Sequence, residues 1–216
     1  MDEAMPRGRL VAGIIAVVAV GTIVLQLGLN LAGAPAKGVP YWRVPIDLYG
    51  YFTIWSNTLV ALVTGWFARG RYGKGLLGRP GTLGSTVVYI VVVGVIYNTL
   101  LVQYNPQTGL RLAIDTMFHT VIPIAYPLWW MMFVPRGRLG WNALAPTVIF
   151  PIVYGAFALA KGSLTGKYAY FFIDVGKYGL SQVLINIAAL GLLYALLMAI
   201  VIALDRWVHR RRTAAI

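Results

Sequence analysis

Leu112-Ala-Ile-Asp-Thr-Met-Phe-His-Thr-Val-Ile-Pro-Ile-Ala-Tyr-Pro-Leu-Trp-Trp-Met-Met-Phe-Val134 is long and apolar enough to cross a bilayer, yet it carries Asp115 and His119. On a helix, residues four apart share a face, so the carboxylate and the imidazole lie one turn apart, with Tyr126 further along the same side. Ionisable side chains are costly inside a membrane and mark a function by default. The stretch therefore decides both the setting, a lipid bilayer, and where to look for chemistry.

The whole chain agrees with that setting. Of its 216 residues 59% are hydrophobic and only 11% are charged, whereas a soluble domain carries roughly a quarter charged residues. Apolar runs of membrane-spanning length fall at 10–32, 47–67, 84–104, 112–134, 142–160 and 181–204. They predict an all-α membrane protein, one domain over residues 1–216, built as a bundle of six transmembrane helices. The first run follows Arg7 and Arg9 and ends at Ala32-Gly33-Ala34, as a signal peptide does. It is longer than a signal peptide's apolar region and is read as an uncleaved span.

The net charge of +12 is spread over short segments between the runs, so it reports topology instead of a nucleic-acid surface. Arg7, Arg9, Arg69, Arg71, Lys74, Arg79, Arg136, Arg138, Arg206 and Arg210 to Arg212 fall on one side, against Lys37, Arg43, Arg111, Lys161, Lys167 and Lys177 on the other: twelve against six. Both termini are expected in the cytoplasm, and the protein in the plasma (inner) membrane. His209 belongs to the basic tail. The longest non-helical segment is expected at 161–180, lying over the outer mouth of the bundle.

With that topology the outer halves of several spans carry polar side chains: Thr53, Ser56 and Asn57 in the second, Asn98 and Gln103 in the third, Asp115 and His119 in the fourth, and Ser181, Gln182 and Asn186 in the sixth. Together they outline one polar pocket open to the outer side. Each has a plainer use as well. Thr53 can bond back to the Tyr49 carbonyl, the asparagines can join helices, and Asp115 can sit at a helix start favoured by the dipole. Pro123 and Pro127, and Pro146 and Pro151, can widen the space between the fourth and fifth spans. There is no cysteine, only one histidine lies within a span, and no phosphate-binding glycine loop or Gly-x-Ser-x-Gly elbow occurs, so no metal, cofactor, nucleotide or serine-elbow chemistry is expected.

A hydroxyl becomes a nucleophile when an imidazole can take its proton. Thr53 and His119, at similar depth, form such a dyad, with Asp115 or Asn57 to orient the ring and Asn57, Asn98 or Tyr126 to donate to an oxyanion. The expected partners are membrane lipids and a lipid-like ester. A small proton-coupled transporter titrating Asp115 and His119, or a non-enzymatic lipid-binding protein, uses the same residues differently.

Four segments in order carry a resemblance: Tyr51-Phe52-Thr53-Ile54-Trp55-Ser56-Asn57, Phe118-His119-Thr120-Val121-Ile122-Pro123, Pro151-Ile152-Val153-Tyr154, and Gly166-Lys167-Tyr168-Ala169-Tyr170-Phe171-Phe172-Ile173-Asp174. Over most of its length the chain resembles the six-helix androgen-induced-gene family and its bacterial Pr-six-Pr type members. The resemblance implies an integral-membrane threonine hydrolase whose animal members cleave fatty acid esters of hydroxy fatty acids, with Thr53 and His119 at the matching positions. The chain departs from the family where Ala169 and Phe171 replace the prolines of a bacterial Tyr-Pro-Tyr-Pro loop, and in its shorter spacing from His119 to Pro123.

Overall fold

The computed structural model describes residues 4–104 and 106–214; the side chain of Arg212 in the basic tail lies outside that description. Eight α-helices occur among the described residues, and no strand: α1 Ala4–Ala32, α2 Arg43–Leu48, α3 Phe52–Ala68, α4 Pro80–Ile96, α5 Gly109–Thr116, α6 Ile122–Phe133, α7 Leu144–Thr165 and α8 Val175–Ala214. Four helical stretches, Met5–Ala32, Pro80–Tyr104, Trp141–Thr165 and Val175–Arg211, are long and apolar enough to cross a membrane, and Phe52–Ala68 is a shorter apolar helix. Large apolar side chains point outward along Met5–Ala32, Trp141–Thr165 and Val175–Arg211, where Val17 is 72% exposed and Leu192 73%, while the first four turns of Pro80–Tyr104 are nearly all buried. A surface of that kind suits hydrocarbon, not water, and the fold is that of a helical membrane protein.

The bundle is arranged around α4. Helices α1, α3 and α6 pack together on one side of it, and α7 and α8, paired with each other, close the other side. Small residues allow close approach where helices cross. A Cβ on Gly94 of α4 would come within 2.8 Å of the Pro123 Cβ on α6, and one on Gly84 within 3.0 Å of Leu139 in the α6–α7 connection.

Several element boundaries differ from the sequence reading, two of them at the site. The second apolar run does not begin as one helix at 47: α2 stops at Leu48, the chain turns through Gly50, and α3 starts at Phe52. A side chain at Gly50 would meet the Asp47 carbonyl at 2.9 Å and the Lys161 ammonium at 2.9 Å, so glycine lets the turn tuck against α7, where the Tyr154 hydroxyl donates to the Gly50 carbonyl at 2.7 Å. Thr53 therefore stands in the first turn of its helix, and its hydroxyl bonds across the bundle instead of back to Tyr49. The non-helical segment is shorter than 161–180. Helix α7 runs on through Lys161, which pairs with Asp47 at 3.0 Å, to a left-handed cap at Gly166 (φ 67°). Past the Phe171–Ile173 turn α8 begins, kinked at Gly179.

At the opposite end of the bundle one ion pair ties the α6–α7 connection to α8. Asp205 is 2% exposed; it accepts the Gly137 amide at 2.9 Å and faces Arg136 at 3.4 Å, while Arg136 lies over the Trp130 ring at 3.9 Å and donates to the Trp130 carbonyl. Removing one partner of a buried pair leaves the other charge uncompensated. Asp205→Ala is expected to destabilise the protein by about 3 kcal/mol, seen as a lower unfolding temperature in detergent; an unchanged melt would show that the pair contributes nothing.

Candidate active site

Two places where the helical winding loosens bring the site together. Met117–Val121 joins α5 to α6 as one π turn, with the Ile122 amide bonded to the Met117 carbonyl five residues back, and Tyr97–Leu101 extends α4 in the same way. Such turns recur at functional sites because they rotate side chains out of the α register. The cause here is partly local. Pro123 has no N–H to give to the His119 carbonyl four residues before it, and Asn98 fills that vacancy, its Nδ2 donating to the His119 carbonyl at 2.8 Å and to the Gly94 carbonyl at 2.8 Å. Asn98 thus holds the two π turns side by side.

His119 sits at the centre. Its Nε2 faces the Thr53 hydroxyl at 3.3 Å, and its Nδ1 faces the Asp115 carboxylate at 3.1 Å and the Asp115 carbonyl at 3.0 Å. Two oxygen acceptors at Nδ1 assign the proton to that nitrogen, which leaves the Nε2 lone pair toward Thr53. The other Asp115 oxygen accepts from the Tyr97 hydroxyl at 2.8 Å, and the Tyr97 ring stacks on the imidazole with centroids 3.5 Å apart and planes 10° apart. Asp115 lies in the second turn of α5, beyond the reach of a first-turn dipole role. Hydroxyl, imidazole and carboxylate thus stand in the order of a hydrolytic triad.

Thr53 is fixed by its helix and by a tyrosine. Phe52, beside it, is buried among Tyr89, Phe150, Tyr154 and Tyr194. The Phe52 amide donates to the Tyr170 hydroxyl at 3.1 Å, so Tyr170 caps the start of α3. Burial pushes the Tyr170 hydroxyl above the usual phenol range, opposed by hydrogen bonds to the Thr53 side chain and to the Phe52 and Thr53 amides. Tyr170 stays protonated at neutral pH, and with its oxygen accepting amides it holds a proton to donate beside Thr53.

The remaining sequence candidates fall behind the site or away from it. Asn57 is fully buried and donates to the Thr53 carbonyl at 2.8 Å and the Phe118 carbonyl at 3.5 Å, bracing α3 against the π turn. Ser56 is fully buried, and neither its hydroxyl nor the Asn57 Oδ1 has a partner among the described residues. Tyr126 donates to the Leu83 carbonyl deep in the bundle, and Asn186 to the Phe172 carbonyl, which holds the 171–173 turn on α8. Tyr97 and Tyr170 were not among the sequence candidates. Tyr97 precedes Asn98 and takes its role from a contact 18 residues on; Tyr170 lay within the quoted Gly166–Asp174 motif.

Two cavities meet at Thr53. A vestibule of ≈ 820 Å³ is lined by Asp115, His119, Arg111, Lys37 and Lys177 among others, and a narrow slot of ≈ 90 Å³ runs between α4, α7 and α8, lined by Val92, Ile96, Pro151, Ile187 and Tyr194. Thr53, Tyr97, Leu101 and Tyr170 border both, while His119 and Asp115 border the vestibule alone.

No protein-family model, curated protein or solved structure matches the chain. Among the described residues no group of three metal-ligating side chains occurs. The arrangement sets a hydroxyl, hydrogen-bonded to an imidazole, at the junction of an apolar and a polar space.

The π turn of α5–α6 depends on its contact with α4. In Gly94→Ala the new methyl would meet the Pro123 Cβ at 2.8 Å and the His119 carbonyl at 3.2 Å, both on backbone or a rigid ring. An overpacking cost of about 1–3 kcal/mol is expected. The unfolding temperature in detergent should fall, and the spacing of Thr53 and His119 should open with it.

Proposed function

We propose that the chain is an integral-membrane hydrolase of lipid esters, with Thr53 as nucleophile, His119 as general base and then acid, and Asp115 as the group that orients His119. The observation that carries this reading is the Thr53 hydroxyl at 3.3 Å from an imidazole nitrogen whose other nitrogen faces a carboxylate at 3.1 Å. In this reading the Thr53 Oγ attacks the ester carbonyl carbon while its proton passes to His119 Nε2. The tetrahedral oxyanion receives a hydrogen bond from Tyr170. The carbon–oxygen bond to the alcohol then breaks, His119 returns the proton to the departing oxygen, and an acyl-Thr53 remains. Water, deprotonated by His119, attacks that ester, releases the acid and restores the threonine hydroxyl.

The wider reading goes with it. We place the chain among the androgen-induced-gene type hydrolases on the four motifs of the sequence, with six spans, both termini in the cytoplasm, and the site in the outer half of a plasma (inner) membrane. The twelve-to-six division of Lys and Arg supports that orientation. The test is chemical. Purified protein in detergent is treated with a fluorophosphonate probe and digested, and the adduct is mapped by mass. An adduct on Thr53, competed by a long-chain ester, is the expected result; an adduct elsewhere with Thr53 unmodified removes the nucleophile assignment.

A further inference from the structure

The vestibule has a second chamber. Beside it lies a cavity of ≈ 560 Å³ that shares Asn30, Lys37, Leu48, Tyr51, Arg111 and Ala169 with it and is lined in addition by Arg43, Asp47, Lys161 and Lys167. Five cationic side chains thus face one carboxylate. Asp47 is engaged by Arg43 at 3.2 Å and by Lys161 at 3.0 Å, and neither Lys37, Arg111 nor Lys167 has a side-chain hydrogen-bond or ion-pair partner among the described residues. Concave spaces lined by charge of one sign focus the field and attract ligands of the other sign.

The site chemistry says which half of a substrate would enter. The departing alcohol must take its proton from His119, and His119 borders the vestibule but not the slot. The alcohol half therefore leaves through the cationic chambers, and the acyl half stays on Thr53 beside the apolar slot. Arg111 lies eight residues before His119, roughly 12 Å along the helix, within reach of a group a few bonds beyond the ester.

We infer that the alcohol half of the substrate carries a phosphate, gripped by Arg111 and Lys37 with Lys167 behind them. This rests on the hydrolase reading above and narrows its substrate to glycerophosphate-type esters. A phosphate monoester brings a charge of about −1.5 to −2 and three acceptor oxygens, which suits three unpartnered cations better than a single carboxylate does, and a guanidinium matches phosphate geometry in two bonds.

Binding tests it without turnover. Non-hydrolysable ether analogues with one alkyl chain and a glycerol phosphate, a carboxylate or a neutral glycerol head are titrated against the detergent-solubilised protein, with inorganic phosphate as a fourth ligand. The expected result is the phosphate analogue tightest, at least about tenfold over the neutral one, and losing about tenfold in Arg111→Gln/Lys37→Gln. Arg111→Lys, which keeps the charge, is expected to retain most of the affinity. Equal binding of phosphate and neutral analogues overturns the inference, as does a carboxylate analogue that binds as tightly as the phosphate. Inorganic phosphate binding as tightly as the lipid analogue also overturns it, because the chamber would then be a free-anion site. Tight, Arg111-dependent binding of the phosphate analogue in a protein that cleaves no ester would uphold the anion site and remove the hydrolase reading.

Discussion

Thr53→Ala and His119→Ala are each expected to lower the rate of ester cleavage and of fluorophosphonate labelling by at least about 10³-fold, with the unfolding temperature in detergent nearly unchanged. The Thr53 hydroxyl makes a long hydrogen bond to His119 at 3.3 Å and a second contact with the Tyr170 hydroxyl, so removing it forfeits little stability and all of the nucleophile. His119 has more neighbours, but its carbonyl, not its ring, holds the Asn98 bridge, and the bridge survives the change to alanine. Because both residues belong to one relay, the double variant should be no worse than either single one. Thr53→Ser keeps the hydroxyl and should keep measurable labelling. Additive losses in the double variant would mean that the two side chains act separately, and full labelling in Thr53→Ala would end the assignment.

Asp115→Asn is the second large effect, about 10³-fold in rate with the fold intact. The carboxylate faces Nδ1 at 3.1 Å and accepts from Tyr97 at 2.8 Å. An amide in its place can turn an N–H toward Nδ1 and favour the tautomer that protonates Nε2, which cannot take the threonine proton. In serine proteases the corresponding change costs about 10⁴-fold. A smaller loss is expected here because the Asp115 carbonyl, untouched by the mutation, still accepts from Nδ1 at 3.0 Å. Tyr97→Phe provides the comparison: it removes only the hydroxyl that steadies the carboxylate and leaves the stacked ring, so a loss of about tenfold is expected. Rates in both variants equal to wild type would make Asp115 a structural residue.

That Thr53 and His119 lie within 3.3 Å of each other was legible in the sequence because membrane segments make polar and ionisable residues conspicuous. Thr53 and His119 stand out against runs of Val, Leu and Ile, and their depth could be counted from Asp47 and Arg111. Their surroundings were not legible. That Thr53 opens a helix depends on the turn at Gly50, whose tight fit needs Lys161 and Tyr154 from a helix a hundred residues later. The π turn at His119 depends on Pro123 withholding a donor and on Asn98 supplying one, and only the proline is local. Tyr97 is one more aromatic in an apolar run, with nothing local to mark its contact with Asp115. The glycines of 161–180 predict a longer connection than the one observed, because Lys161 extends the helix by reaching Asp47.

The meeting of two cavities at one hydroxyl bears on kinetics. In a hydrolase laid out this way the two products would leave from different compartments, the alcohol from a wide, wet chamber and the acid from a narrow apolar slot lined by Ile96, Pro151 and Tyr194. The acid would be slower to clear and would compete with the next acyl chain, so inhibition by products should be one-sided, strong for the fatty acid and weak for the alcohol.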